Sequence, residues 1–144
     1  MEFEMVIINK LILIADDDPK HRKLLTDVLQ AEGHATLTAE NGERTIAMAR
    51  SAKPGLILMD IQMPVMEGLS VVKVLKSDTD MRLIPVIAVT ALAMRGDRKR
   101  MLAAGFDGYL SKPISIMELR AEVNRHLGGK ARQKEGTTED GAPS

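Results

Sequence analysis

The chain has no cysteine and no tryptophan. Without cysteine there is no disulfide framework, no thiolate metal site and no thiol nucleophile, which fits a reducing compartment. Aromatic residues are nearly missing as well: Phe3, Phe106 and Tyr109 are the three present. A core must therefore be aliphatic, built from Leu, Ile, Val, Met and Ala. Acidic and basic residues balance at a formal net charge of zero, so no charge excess points to nucleic acid or to an anionic membrane. No apolar run approaches membrane-spanning length. The stretch Met1 to Asn9 carries Glu2 and Glu4 and lacks the basic start of a secretory signal. The expectation is a soluble, cytoplasmic protein that makes no direct contact with nucleic acid or membrane.

What is present is 144 residues with an ordinary apolar fraction, enough for one domain and its core. Five apolar runs punctuate the chain: Leu11 to Ala15, Ala35 to Ala39, Leu56 to Met59, Val86 to Thr90, and Tyr109 to Leu110. The first, third and fourth are apolar almost throughout, as strands of a parallel sheet are when both faces are covered. Helix signals lie between them. Asp18 precedes Pro19 as a cap before a stripe of Leu24, Leu25, Val28 and Leu29, and Gly33 follows. Asn41 can cap a second helix. A third follows Pro64 and runs through Leu69, Val72 and Leu75, and a fourth spans about Arg95 to Ala104 before Gly105. The fifth starts at a capping box of Ser115 and Glu118, with Ile114 and Leu119 spaced as a hydrophobic staple. Its stripe is Ile116, Leu119, Val123 and Leu127, and Gly128 ends it. Strand and helix alternate five times, which implies a parallel sheet with helices on both faces. The expected division is an extension over 1–10, a domain over 11–127, and a disordered tail or linker over 128–144, where no large apolar residue occurs.

Ligands of open parallel sheets bind outside the carboxyl ends of the strands. There this sequence places Asp16, Asp17 and Asp18 after the first strand, Asp60 after the third, Thr90 and Ala91 at the fourth, and Lys112 with Pro113 after the fifth. Three carboxylates within a few ångströms repel by roughly 4 kcal/mol per pair at an effective dielectric near 20. Three such pairs rival the whole stability of a small domain, about 5–15 kcal/mol. Such a site must bind a cation or hold a proton. Hard carboxylate oxygens suit Mg²⁺, which also binds phosphate, and a carboxylate can act as nucleophile to form an aspartyl phosphate.

The segments Leu-Ile-Leu-Ile-Ala-Asp-Asp-Asp, Leu-Met-Asp-Ile-Gln-Met-Pro-Val-Met-Glu-Gly, Val-Thr-Ala and Ser-Lys-Pro resemble the receiver domains of response regulators, over about Leu11 to Leu127. The stretch Thr-Ala-Leu-Ala-Met-Arg-Gly-Asp-Arg is similar to single-domain regulators of the DivK type and to receiver modules of hybrid histidine kinases. The resemblance implies a flavodoxin-like (βα)5 fold and a bacterial two-component or phosphorelay switch. It implies Asp60 as the phosphoacceptor. It implies Mg²⁺, for which Mn²⁺ can substitute, held by Asp17, Asp60 and the backbone carbonyl of Gln62, with Asp16 acting largely through water. It implies Thr90, Ala91 and Lys112 around the phosphoryl group, Thr90 and Tyr109 as the switch pair, and a cis Lys112–Pro113 peptide. The donor would be a histidine kinase or a histidine phosphotransfer protein. A downstream protein would read the face of the fourth helix, fifth strand and fifth helix. Hydrolysis of the phosphoryl group would be slow, since Gln62 and Leu92 flank the water path and neither is a base.

Each residue also has a plainer reading. Asp18 is read as a helix cap alone. Thr90 and Lys112 taken singly are a strand-end hydroxyl and a surface lysine, and Tyr109 taken singly is core packing. The cluster of Arg95, Arg98, Lys99 and Arg100 reads as a solvated helix face. His21, His34 and His126 lack metal-ligand spacing and receive no site role. Two other functions compete. A metal-dependent phosphatase with an aspartyl nucleophile would want an acid two residues on, where Gln62 stands. A partner-binding pseudo-receiver would not need the full set of acids, Thr and Lys. The chain is either a stand-alone regulator or a module excised from a longer protein.

Overall fold

The computed structural model describes residues 10–63, 67–91 and 97–127. Strands β1 (Leu11–Ala15), β2 (Ala35–Ala39), β3 (Leu56–Asp60), β4 (Val86–Thr90) and β5 (Gly108–Ser111) alternate with helices α1 (Pro19–Ala31), α2 (Gly42–Ala52), α3 (Gly68–Ser77), α4 (Asp97–Ala104) and α5 (Ile116–His126). All four strand pairings are parallel, in the order β2-β1-β3-β4-β5. This is the flavodoxin-like arrangement expected from the sequence.

Successive side chains of a strand point to opposite faces, so each inner strand feeds two cores. Leu13, Ala15, Ile57, Met59, Val86 and Ala88 pack with Ala49, Val71, Val72, Leu75, Met101 and Phe106 on the side of α2, α3 and α4. Ile12, Ile14, Leu56, Leu58, Ile87 and Val89 pack with Leu25, Leu29, Leu119 and Val123 on the side of α1 and α5. β3 and β4 are buried along their whole length. Truncating Leu58 to alanine there would cost about 2–5 kcal/mol. Strand β2, with Thr36 and Thr38 among its residues, is half exposed and forms one edge of the sheet.

The three sequence caps are formed. Asp18 accepts from the Lys20 N–H at 3.0 Å, Asn41 from Arg44 at 2.8 Å, and Ser115 from Glu118 at 3.3 Å. Two strands run past their apolar cores. β3 takes in Asp60, paired with Val89, and β5 takes in Gly108 and Ser111, paired with Ile87 and Thr90. The parallel ladder continues through these polar ends because backbone pairing does not depend on the side chain. Two stripe residues are exposed, Leu24 at 52% and Ile116 at 47%. Leu24 is rotated about 100° from Leu25, away from the sheet. Ile116 is the first residue of α5, in its opening turn. Residues 1–9 of the expected extension 1–10, Pro64, Leu92, Arg95 and the tail 128–144 lie outside the described residues.

Candidate functional site

β1 and β3 are neighbours while the chain places β2 between them, so the strand order reverses at this pair. Ligand clefts in such folds open at this point, at the carboxyl ends. Asp16 and Asp17 leave β1 there and Asp60 ends β3. One carboxylate oxygen from each of Asp16, Asp17 and Asp60 lies within 4.8 Å of the others. Asp16 and Asp60 are buried, and Asp17 faces solvent.

Lys112 reaches in from the end of β5. Its Nζ donates to Asp60 Oδ2 at 3.2 Å and lies 3.3 Å from Asp16 Oδ2. Its backbone N–H donates to the Thr90 carbonyl at 2.8 Å, which joins the ends of β4 and β5. The Lys112–Pro113 peptide is cis. The Gln62 N–H donates to Asp60 Oδ1 at 2.9 Å, folding the loop after β3 back over the carboxylate. Gly68 closes that loop, with its N–H on the Ile61 carbonyl at 3.1 Å. A Cβ on Gly68 would stand 2.6 Å from Ile61 Cα, so only glycine lets α3 start this close to β3. That is the physical reason for the glycine in Asp-x-x-Met-Pro-x-x-x-Gly.

Burial pushes the Asp60 carboxyl above the usual carboxylate range, and the charge of Asp16 adds to it. The Gln62 N–H and Lys112 oppose the rise without cancelling it. Burial acts on Asp16 in the same sense, but the Asp18 N–H, His21 and Lys112 outweigh it, and Asp16 lies below its usual value. Burial also pulls Lys112 down, while Asp16 and Asp60 more than compensate and hold its proton firmly. The site thus carries more negative charge than one lysine balances. Three hard oxygen donors at this spacing fit a small divalent cation such as Mg²⁺. They are the one group among the described residues where three acidic or histidine ligands converge.

Thr90 is fully buried at the end of β4, and Ala91 beyond it is exposed. Tyr109, opposite Ala88 in the ladder, packs against the core beneath α3 and α4. By strand alternation Thr90 and Tyr109 lie on the same face of the sheet, on neighbouring strands. Tyr109 also lines a groove with Arg98, Glu118, Glu122 and Arg125 between α4, β5 and α5. Arg98, Lys99 and Arg100 are exposed, as a solvated helix face requires.

Two contributors went unseen in the sequence. His21 Nδ1 contacts Asp16 Oδ2, and Arg22 Nη1 donates to the Asp16 carbonyl at 2.7 Å. The available signal was position: side chains in the first turns of a helix lean back toward its N-terminus, here toward the end of β1.

Comparison with known proteins agrees with this geometry. The family described as "Response regulator receiver domain" matches residues 12–124. The polar-differentiation response regulator DivK of Brucella anthropi is 44% identical over 119 residues, 83% of this chain and 97% of the relative. The receiver domain of a signal transduction histidine kinase from Syntrophus aciditrophicus is 34% identical, with a TM-score of 0.77, covering 89% of this chain and 97% of that one. The receiver domain of a sensor histidine kinase from Pseudomonas aeruginosa, solved with a magnesium ion coordinated in its active-site cleft, is 31% identical at a TM-score of 0.77, covering 83% and 98%. With the fold, the acidic cleft and these relatives in agreement, the chain belongs to the response regulator receiver domains of two-component signalling.

Proposed function

We propose that Asp60 is the phosphoacceptor of this receiver domain, whose receiver unit spans residues 11–127. The observation that carries the reading is the placement of Asp60: buried at the end of β3, bonded by Lys112, and within reach of Asp16 and Asp17. An Asp60 oxygen attacks the phosphorus of a phosphohistidine on a histidine kinase or phosphotransfer protein. The phosphorus–nitrogen bond breaks, and its electron pair returns to the imidazole. A phosphoryl group in transfer carries charge on three equatorial oxygens that must be neutralised. Lys112 can follow one of these oxygens as it leaves the carboxylates, and the Thr90 hydroxyl can donate to another. Ala91 leaves room beside them. Asp17, Asp60 and the Gln62 carbonyl would hold Mg²⁺ or Mn²⁺, with Asp16 nearby through water. The bound cation supplies charge neutralisation for the carboxylates and the incoming phosphate.

The output is a switch rather than turnover of a substrate. Thr90 moves toward the phosphoryl oxygens, Tyr109 follows into the space behind it, and the α4–β5–α5 face changes for a downstream protein in the cytoplasm, with no direct role for nucleic acid or membrane. Gln62 is neutral and supplies no base for hydrolysis, so loss of the phosphoryl group without a partner is slow. Among the described residues no helix is long and apolar enough to cross a membrane. The test is incubation with acetyl phosphate with and without Mg²⁺. One phosphoryl group should be gained only when Mg²⁺ or Mn²⁺ is present, as an alkali-labile acyl phosphate. Equal modification in excess chelator would overturn the reading.

A further inference from the structure

Asp16 is held more tightly than a water-mediated cation contact requires. Its Oδ1 accepts the Asp18 N–H at 2.9 Å, its carbonyl accepts from Arg22 at 2.7 Å, and its Oδ2 meets both His21 Nδ1 and Lys112 Nζ. The His21 side chain is 14% exposed and that of Asp16 2%. A carboxylate offers only acceptors, so Nδ1 must carry the proton in this contact, whether the ring is neutral or charged. Lys112 has two claims on it in the resting site, Asp16 Oδ2 at 3.3 Å and Asp60 Oδ2 at 3.2 Å. To serve a phosphoryl group on Asp60, Lys112 must let go of Asp16. A buried carboxylate oxygen left without a donor is costly.

We propose that His21 is a positioning residue: by donating from Nδ1 to Asp16 Oδ2 it keeps that oxygen bonded when Lys112 departs, and so frees Lys112 for the phosphoryl group. His21 touches neither phosphorus nor cation and acts through Asp16 and Lys112. The inference rests on Asp60 being the phosphoacceptor. It makes a specific division of effects. Loss of the His21 donor slows phosphoryl transfer even when Mg²⁺ is saturating, because the step affected is the release of Lys112. Asparagine should replace histidine here, since its Nδ2 sits on Cγ as Nδ1 does in the ring and is also a donor.

The test compares the full-length protein with His21→Ala, His21→Asn and Asp60→Asn, using acetyl phosphate as donor. Mg²⁺ affinity is measured separately by calorimetry. In His21→Ala the rate at saturating Mg²⁺ should fall about tenfold or more, in the range of roughly 10–100-fold seen when a group orienting a site ligand is removed. The Mg²⁺ dissociation constant should move by much less, and His21→Asn should recover most of the rate. In the wild type, long-range ¹H–¹⁵N spectra should show a protonated His21 Nδ1, a readout that survives if His21→Ala folds poorly. A rate in His21→Ala equal to wild type, a loss restored by raising Mg²⁺, no recovery in His21→Asn, or an unprotonated Nδ1 would each overturn the inference while the acceptor reading stands. A wild type that takes no phosphoryl group, or an Asp60→Asn variant that takes one, would overturn the acceptor reading and this inference with it.

Discussion

Replacing Lys112 by methionine keeps most of its stem and removes its charge. In the wild type its ammonium lies between two carboxylates that are 2% and 5% exposed, and its own side chain is 22% exposed. A hydrogen bond to a charged group contributes about 1.5–3 kcal/mol net, and an orphaned buried charge costs more. Partial solvent access and proton uptake by Asp60 lower the total, so the expected loss is about 2–3 kcal/mol. At roughly 4 °C per kcal/mol for a domain of this size, the melting temperature falls by about 8–12 °C. Mg²⁺ should restore part of it, because a cation can take over the balancing charge. At ten times its dissociation constant a bound ion stabilises by about 1.4 kcal/mol. The Mg²⁺-induced shift should therefore be larger in Lys112→Met than in wild type. Acid should help too. The Asp60 carboxyl already lies above its unfolded value, so the native state takes up a proton more readily than the unfolded chain. Its penalty is present at neutral pH and is relieved as pH falls through the folded value, and losing Lys112 raises that value further. The gap between mutant and wild type should therefore narrow from pH 7 toward pH 5. Thermal unfolding followed by circular dichroism, with chelator and with Mg²⁺ at both pH values, tests all of these shifts in the two proteins. A Lys112→Met protein melting within about 2 °C of wild type in chelator, or no more responsive to Mg²⁺, would refute this picture of the charge balance.

Asp17→Asn should leave the fold intact and largely abolish the rise in melting temperature that millimolar Mg²⁺ gives the wild type; an undiminished rise would remove Asp17 from the cation site. Gly68→Ala forces a Cβ to within 2.6 Å of Ile61 Cα and should cost about 1–3 kcal/mol in urea unfolding; a neutral result would mean that the α3 start can back away from β3. Phosphorylation should move the amide signals of the described α4 residues 97–104, of β5 and of α5 as well as those near Asp60, whereas changes confined to the loops around Asp60 would mean that Thr90 and Tyr109 do not couple the site to that face.

The layered fold could be read in the sequence because its strands differ so sharply from its helices. Leu-Ile-Leu-Met at β3 and Val-Ile-Ala-Val at β4 have no polar face to hide, and Asp18, Asn41 and Ser115 announce their helices. Strand ends were harder. Asp60 and Ser111 look like loop residues by composition, yet the parallel ladder carries them. Stripe membership failed at Leu24, where two adjacent leucines cannot both face the sheet. The acids, Thr90 and Lys112 were legible as a set because strand ends converge at one edge. The contact of His21 with Asp16 was not, since a search for histidines spaced as metal ligands passes over one that orients a carboxylate. Long-range ties were invisible for a simpler reason. Lys76 Nζ bonds Asp107 Oδ2 at 2.8 Å and the Ile84 carbonyl at 2.9 Å, pinning the turn before β5 to the end of α3, and nothing local in sequence marks that pairing.

The most direct test of the central claim is where the phosphoryl group goes. Wild type and Asp60→Asn are incubated with acetyl phosphate and Mg²⁺, then compared by intact mass, with peptide mapping after borohydride reduction of the acyl phosphate. A single phosphoryl group on the wild type, mapped to Asp60 and missing from Asp60→Asn, is the predicted result. Equal modification of the two proteins, or a label mapped to any other residue of the wild type, would contradict it.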